Sequence, residues 1–265
     1  MSPDETAPDK RLSSPVGDTA PHAYIGTSGW NYADWAGNVF YAEGLKPAQW
    51  LAFYSHHFDS VEVNNTFYRL PDKSIFEQWH SQTPASFRFT VKASRFITHM
   101  KKLAEPEKHM ALFLRHASRL GKKLAVVLFQ LSPAWRFRRD RLEGLCKFLA
   151  SQRIVPGVRA ALEVRHPSWL CPECFALLRN HNVALVFADW PELPVREPIT
   201  ANFIFVRRHG PGELYSSNYT DFALKHEARE IRIWLSQRRD VFVYFNNDVS
   251  AHAIRNAETL KRLLE

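Results

Sequence analysis

The chain has 265 residues, 45% of them hydrophobic, and 35 Lys and Arg outnumber 27 Asp and Glu for a net charge of +8. That is core enough for one large domain, and no apolar run approaches the roughly 20 residues of a membrane span. Three cysteines exclude a disulfide framework and fit a reducing, cytoplasmic setting.

Residues 1–22 are rich in Pro, Ser, Asp and Thr and hold no apolar stretch. That is the composition of a disordered tail, not of a secretory signal. The folded domain is expected over 23–265. The tail takes four acids and two bases, so the rest of the chain is more basic still, at +10. A basic surface favours anionic partners, nucleic acid or phosphorylated ligands among them. Many soluble proteins are equally basic and bind neither.

Strands and helices alternate along the chain. The first strand is Tyr24 to Ser28, with a turn at Gly29-Trp30. A helix over Pro47 to His57 carries Trp50, Leu51, Phe53 and Tyr54 on its apolar side. Strand two is Ser60 to Asn64, followed by a helical piece with Ile75, Phe76 and Trp79. Strand three is Phe87 to Lys92. A loop through Thr98-His99 leads to a helix over Glu107 to Leu120. Strand four, Leu124 to Leu131, is nearly all apolar, as in a sheet covered on both faces. Helix Arg138 to Ala150 precedes strand five, Arg159 to Arg165, and helix Pro172 to Asn180 precedes strand six, Val183 to Asp189. Three prolines between Trp190 and Asn202 predict a loop without a full helix. Strand seven is Phe203 to His209, then comes a long helix over Asp221 to Gln237. Strand eight is Val241 to Asn246, and a helix over Ala251 to Leu264 closes the chain.

Eight such units imply parallel strands joined by right-handed crossovers. The expected fold is α/β, a single TIM-like (β/α)8 barrel with one irregular connection after strand six. An open doubly wound sheet is the alternative, but no glycine fingerprint follows any strand.

The run Ala160-Ala161-Leu162-Glu163-Val164-Arg165-His166 shows where a site would lie. Strand side chains alternate faces, so Glu163 and Arg165 point the same way. Unpaired buried ions cost several kcal/mol, so these two must be paired or used. The same two-residue step links Glu62 with Asn64, Thr90 with Lys92, Leu128 with Gln130, Phe187 with Asp189, Arg207 with His209 and Tyr244 with Asn246. Each polar residue lies at the C-terminal end of its strand. In a parallel barrel these ends meet at one rim, where active sites of this fold sit. The arithmetic predicts an inward polar ring of Glu62, Asn64, Lys92, Gln130, Glu163, Arg165, Asp189, Arg207, His209 and Asn246. It is either a charge-balanced plug or a polar ligand site, and the second is favoured because buried ion networks add little net stability.

Three histidines, His99, His166 and His209, lie near that rim. Glu62, Glu163, Asp189 and His209 are metal-ligand types that would suit manganese or zinc. Three nearby cations oppose a divalent ion, and no close-spaced histidine pair supports one. No metal ligand is therefore assigned, and a divalent metal stays open as a cofactor. The loops are crowded with aromatics, Trp30, Tyr32, Trp35, Phe67, Tyr68, Trp169 and Trp190. Core caps are the expected role for most, with stacking on a base or sugar as the alternative. Cys171-Pro172-Glu173-Cys174 stands at a helix start without the surroundings of a redox or metal motif. No phosphate-binding glycine loop or nucleophile elbow is present.

Several of these stretches resemble the YecE-like family, the "domain of unknown function 72" proteins. They are Gly26-Thr27-Ser28-Gly29-Trp30, Val61-Glu62-Val63-Asn64 with Thr66-Phe67-Tyr68, Phe89-Thr90-Val91-Lys92, Thr98-His99, Leu128-Phe129-Gln130-Leu131, and Leu162-Glu163-Val164-Arg165-His166 with Ser168-Trp169. Arg207 with His209-Gly210 and Tyr244-Phe245-Asn246-Asn247-Asp248 complete the set. The resemblance runs from Tyr24 to the C-terminus and implies a TIM-like barrel. Its recurring polar residues match Glu62, Asn64, Tyr68, Lys92, Thr98, His99, Gln130, Glu163, Arg165, His166, Arg207, His209, Asn246 and Asn247. Ser132-Pro133 stands where the family often has two prolines, and the Cys-x-x-Cys is not part of its pattern.

The expected function is an enzyme of hydrolase or phosphodiesterase type acting on an anionic, phosphate-bearing substrate. Nucleotides and nucleic acid fall in that class. Glu163 or Glu62 would be the base and His99 or His209 the acid or base. Asn64, Tyr68, Lys92, Gln130, Arg165, His166, Asp189, Arg207, Asn246 and Asn247 would bind substrate, the arginines bidentately. The alternative is a non-catalytic protein that binds a ligand or nucleic acid at the same rim.

Overall fold

The computed structural model describes residues 20–265. Of the expected tail, residues 1–19 lie outside the described residues. His22 is anchored: its backbone N–H donates to Asp240 Oδ1 at 2.9 Å and its imidazole meets Asp59 Oδ2 at 3.1 Å.

The elements in chain order are β1 (Ala23–Thr27), α1 (Trp50–His57), β2 (Ser60–Val63), α2 (Asn65–Tyr68), α3 (Lys73–Ser81) and β3 (Arg88–Lys92). Then come α4 (Pro106–Ala117), β4 (Leu124–Gln130), α5 (Arg139–Ser151), β5 (Arg159–Glu163), α6 (Pro172–Asn180), β6 (Val183–Leu185) and β7 (Phe187–Ala188). The last are β8 (Phe203–Arg208), α7 (Asp221–Ser236), β9 (Asp240–Phe245) and α8 (His252–Leu264). The helices follow from their sequence. In α4, Met110, Phe113, Leu114 and Ala117 recur at helical spacing and are buried, and Pro106 takes the first position, where it loses no hydrogen bond. The Thr220 hydroxyl caps α7 by accepting from the Ala223 N–H. Residues 190–202 form no helix, as their prolines require. Among the described residues no helix is long and apolar enough to cross a membrane.

Every strand pair is parallel, but the strands fall into two sheets, β1-β9-β8-β7 and β2-β3-β4-β5-β6. This corrects the expectation of eight strands in one closed ladder. Strand six breaks at Val186. Its first half pairs with β5, Ala160 opposite Val183, and its second with β8, Phe187 opposite Val206. The other seam, between β1 and β2, carries a single bridge, Ser28 to Glu62. A side-chain hydroxyl fills the ladder at each seam. Tyr54 OH accepts from Thr27 N at 2.8 Å and donates to Ser60 O at 3.2 Å. Thr200 Oγ1 accepts from Leu185 N and donates to Val183 O, both at 2.7 Å. Gly26 is obligatory beside the first, because a Cβ there would lie 2.0 Å from Ser60 O.

Between the sheets the space is filled by Val126, Leu128, Ala161, Ala184, Val186, Ala188, Phe203, Phe205, Phe242 and Tyr244. The buried Tyr244 hydroxyl bonds Ser60 Oγ and, at 2.9 Å, Thr90 Oγ1, tying β9 to β2 and β3. The larger core lies outside the sheets, under the helices.

Strand six corrects one further expectation. Its inward residues are Ala184, Val186 and Ala188. Phe187 points outward against Trp234 of α7, ring centres 5.8 Å apart. Phe203, Phe205 and Phe242 already fill the interior, so strand six turns only small side chains inward, and Asp189, one step beyond Ala188, leaves the inward face.

Candidate functional site

Alternation along β2, β5 and β8 delivers Glu62, Glu163 with Arg165, and Arg207 with His209 to the C-terminal ends of their strands. All five are buried. Arg207 is the hub. Its Nε and Nη2 take both oxygens of Glu62 at 2.9 and 2.7 Å, and its Nη1 reaches Glu163 Oε2 at 2.6 Å. Gln130 Oε1 and Ser28 Oγ stand at the edge of contact, both at 3.4 Å. Arg165 Nε donates to Glu163 Oε1 at 2.7 Å, and its Nη2 closes on the same oxygen. The Arg165 guanidinium lies 3.6 Å from the centre of the Trp190 ring. Planar, forked donors make this pairing geometrically exact in a way an ammonium would not.

Charge settles the protonation states. Burial would raise the Glu163 carboxyl, but Arg165 and then Arg207 outweigh it and hold the group well below its usual range. Burial lowers the Arg207 pKa, and Glu163 and Glu62 more than reverse it. His209 Nδ1 stands 3.1 Å from Asn246 Nδ2, and its Nε2 faces Glu163 Oε1 at 3.1 Å, Arg165 Nη2 at 3.2 Å and Arg207 Nη1 at 3.4 Å. Burial, and after it Arg207, lowers the His209 pKa, so this imidazole stays neutral.

Lys92, at the end of β3, is the exception. It is 9% exposed, yet among the described residues its amine has no hydrogen bond or ion pair, only the face of Phe67 at 4.5 Å. Burial, then Arg207, pushes it down to about 8. Beside it His99 stacks edge-on to the same Phe67 ring at 5.2 Å, and its Nδ1 meets Thr98 Oγ1 at 2.9 Å. Burial, then Lys92, lowers the His99 pKa. His99 is carried by a π-helical turn, Phe96–Met100, where a plain loop was expected. Such turns insert one residue without a periodicity signal and recur at functional sites.

The remaining candidates stand apart from this network. Asp189 accepts from the His209 N–H at 2.7 Å and from the Tyr219 hydroxyl, so it holds the backbone of β8 from behind. Asn247 is buried and donates to Ser217 O and Asn256 Oδ1, tying a loop to α8. His166 caps the turn Pro167–Trp169 by accepting from Ser168 N at 3.1 Å. Tyr68 is 81% exposed. Among the described residues no three His, Cys, Asp or Glu side chains gather as a metal site. Asp189 is directed elsewhere, and the Glu62 and Glu163 oxygens are held by arginines. Of the loop aromatics, Trp35 and Trp169 are core, while Trp190 and Phe67 flank the charged groups. Tyr215, which the strand pattern could not reach, comes within 6.0 Å of the His209 ring. Cys174 is buried and pushed up to about 12 by that burial, the reverse of a reactive thiol.

The fold and the strand-end site define a TIM-barrel-like α/β protein. A family model described as "Protein of unknown function DUF72" matches residues 24–265, and the chain belongs to that family. The UPF0759 protein YunF of Bacillus subtilis is 26% identical over 275 residues, covering 91% of this chain and 94% of YunF. A DUF72 family protein from Thermotoga maritima superimposes with a TM-score of 0.80 at 33% identity, covering 92% of this chain and 99% of its own. A D-psicose 3-epimerase, at 9% identity and TM-score 0.54, covers 91% and 96% and shares the fold alone.

Proposed function

We propose that the rim is the ligand site of an enzyme that binds an anionic, phosphate-bearing substrate, nucleotides and nucleic acid falling in that class. One observation carries the reading. The buried network sets three cations, Lys92, Arg165 and Arg207, against two carboxylates, Glu62 and Glu163, and the surplus charge falls on the amine without a partner. The amine still touches solvent, yet the burial of its stem and the nearby arginines make its charge costly unless something pairs it. An anion supplied by the ligand would do so.

The roles follow from which atoms are spoken for. Arg207, Glu62 and Glu163 bind one another and form the frame. Lys92 meets the anion, with Gln130 and Asn246 at its side and Arg165 held flat on Trp190. His99, neutral and with Nε2 free of the Thr98 bond, moves the proton. In this reading Glu163 orients rather than abstracts, because two arginines drain its basicity. The two sheets form the wall of one TIM-like barrel, for which the hydroxyl-bridged seams and the Tyr244 link speak. The setting is the reducing cytoplasm.

The test is a thermal-shift and calorimetric panel of sulfate, phosphate, pyrophosphate, nucleotides and short DNA and RNA, each with and without Mg, Mn and Zn. A ligand at about 100 times its Kd adds roughly 2.7 kcal/mol of stability. Binding should vanish in Lys92→Met, and His99→Gln should keep binding and lose turnover. If His99→Gln and wild type both bind and neither turns over any probe, the protein is a binder and the enzyme reading falls. Anion binding indifferent to Lys92→Met sinks the site itself.

A further inference from the structure

A groove of about 570 Å³ adjoins the rim between the Gly29–Tyr32 turn, the start of α1, α2 and α3. Its walls are aromatic: Trp30, Tyr32, Tyr68 and Trp79, with Trp30 and Trp79 set edge to face at 5.4 Å. Apart from the tyrosine hydroxyls and indole N–H groups of those walls, its polar side chains are amides: Asn31, Asn64, Asn65, Gln78 and Gln82. The other lining residues are apolar or glycine, and no side chain with a formal charge faces it. This is the opposite of the rim, although the two share a wall. In α2, Phe67 carries the Lys92 amine and Tyr68, the next residue, lines the groove. Asn64 lies two residues beyond Glu62, and its Nδ2 is bound to Ser28 O at 3.2 Å. Its Oδ1 is buried and without a hydrogen-bond partner in the protein. A buried acceptor left open costs free energy, and a turn of the Asn64 side chain would present it to a donor on a ligand.

The geometry points to a second subsite: the groove takes an uncharged ring with an apolar face and a hydrogen-bonding edge, the chemistry shared by a nucleoside and a glycoside. Aromatic walls offer a face to stack on, and amides both donate to and accept from a ring's edge. A charged ring would find no counter-ion here. The volume lies within the usual range for small-molecule sites. The assignment rests on the rim reading only in joining the two, with the ring in the groove and the anion at Lys92.

Calorimetry and saturation-transfer NMR test it on the full chain with two neutral probes, adenosine and methyl glucoside, and their phosphorylated forms, AMP and glucose 6-phosphate. The variants are Lys92→Met and the double variant Tyr68→Ala, Gln78→Leu, whose side chains are exposed and whose loss leaves the core intact. One neutral probe should bind wild type and Lys92→Met alike and weaken at least fivefold in the double variant. Which one binds identifies the ring. Its phosphorylated form should bind wild type more tightly and lose that gain in Lys92→Met. A phosphorylated probe that depends on Lys92 but ignores the double variant overturns the groove and leaves the rim standing. A neutral probe that needs the groove, with no gain from its phosphate, keeps the groove and overturns the rim. If no probe binds, both fall.

Discussion

Two lysines are buried among the described residues, and the fold treats them in opposite ways. Lys123 is 5% exposed, and its amine donates to His80 O, Thr83 O and Thr83 Oγ1, with the last two at 2.7 and 3.1 Å. Every proton of that ammonium is spent on closing the end of α3. Lys92 is buried almost as deeply and has an aromatic face in place of three oxygens. A satisfied buried cation is architecture; an unsatisfied one marks a place left open for something else.

The largest effect that sharpens the contrast comes from the carboxylate between the arginines. Glu163→Gln leaves Arg165 and Arg207 short of a counter-charge and should cost about 3–5 kcal/mol in denaturant unfolding. A cost below ~1 kcal/mol would mean the network is not the frame described. Lys123→Met removes charged hydrogen bonds from three oxygens and should cost about 3 kcal/mol, with anion binding intact in the folded fraction.

Lys92→Met should do the reverse, ending anion binding while leaving the protein as stable as wild type or more so. Burial holds the folded amine down to about 8, against about 10.5 in the unfolded chain. Between these two values the unfolded chain holds the proton that the folded one has released, so wild-type stability rises with pH. The advantage of Lys92→Met is therefore greatest at pH 7, on the order of 3 kcal/mol at most, and should close as pH climbs from about 8 to 10.5. A pH-independent gap would break the comparison. The smallest effect is on affinity. Sulfate keeps its charge throughout, so its binding to wild type should weaken about fourfold from pH 7 to 8.5, as the Lys92 amine loses its proton.

Much of this site was legible from parity alone. Glu62, Glu163, Arg165, Arg207 and His209 stand at even spacings in runs whose alternate residues are apolar, so fixing one fixes its neighbours. Strand six gave no such anchor. Val183, Leu185 and Phe187 are as apolar as Ala184, Val186 and Ala188, and only the size difference says that the small set faces inward. Asp189 was misplaced for that reason. The π-helical turn under His99 leaves no mark in a 3.6-residue pattern. The contrast between Lys123 and Lys92 depends on carbonyls more than 35 residues away in sequence, beyond any local rule. The groove escaped because its amides come from three separate segments.

The two hydroxyls that stand in for backbone at the seams set how the molecule breathes. Along the ladders, parting two strands breaks a row of peptide hydrogen bonds. At the seams it breaks one bridge and the contacts of Tyr54, or the contacts of Thr200. The two half-shells are therefore buttoned along two lines and tied across the middle by Tyr244 to Ser60 and Thr90 and by Arg207 to Glu62 and Glu163. In native-state deuterium exchange the amides of Thr27 and Leu185 should open well before those of Val127 and Val243 at the sheet centres, and Tyr54→Phe should speed Thr27 while leaving Leu185 unchanged.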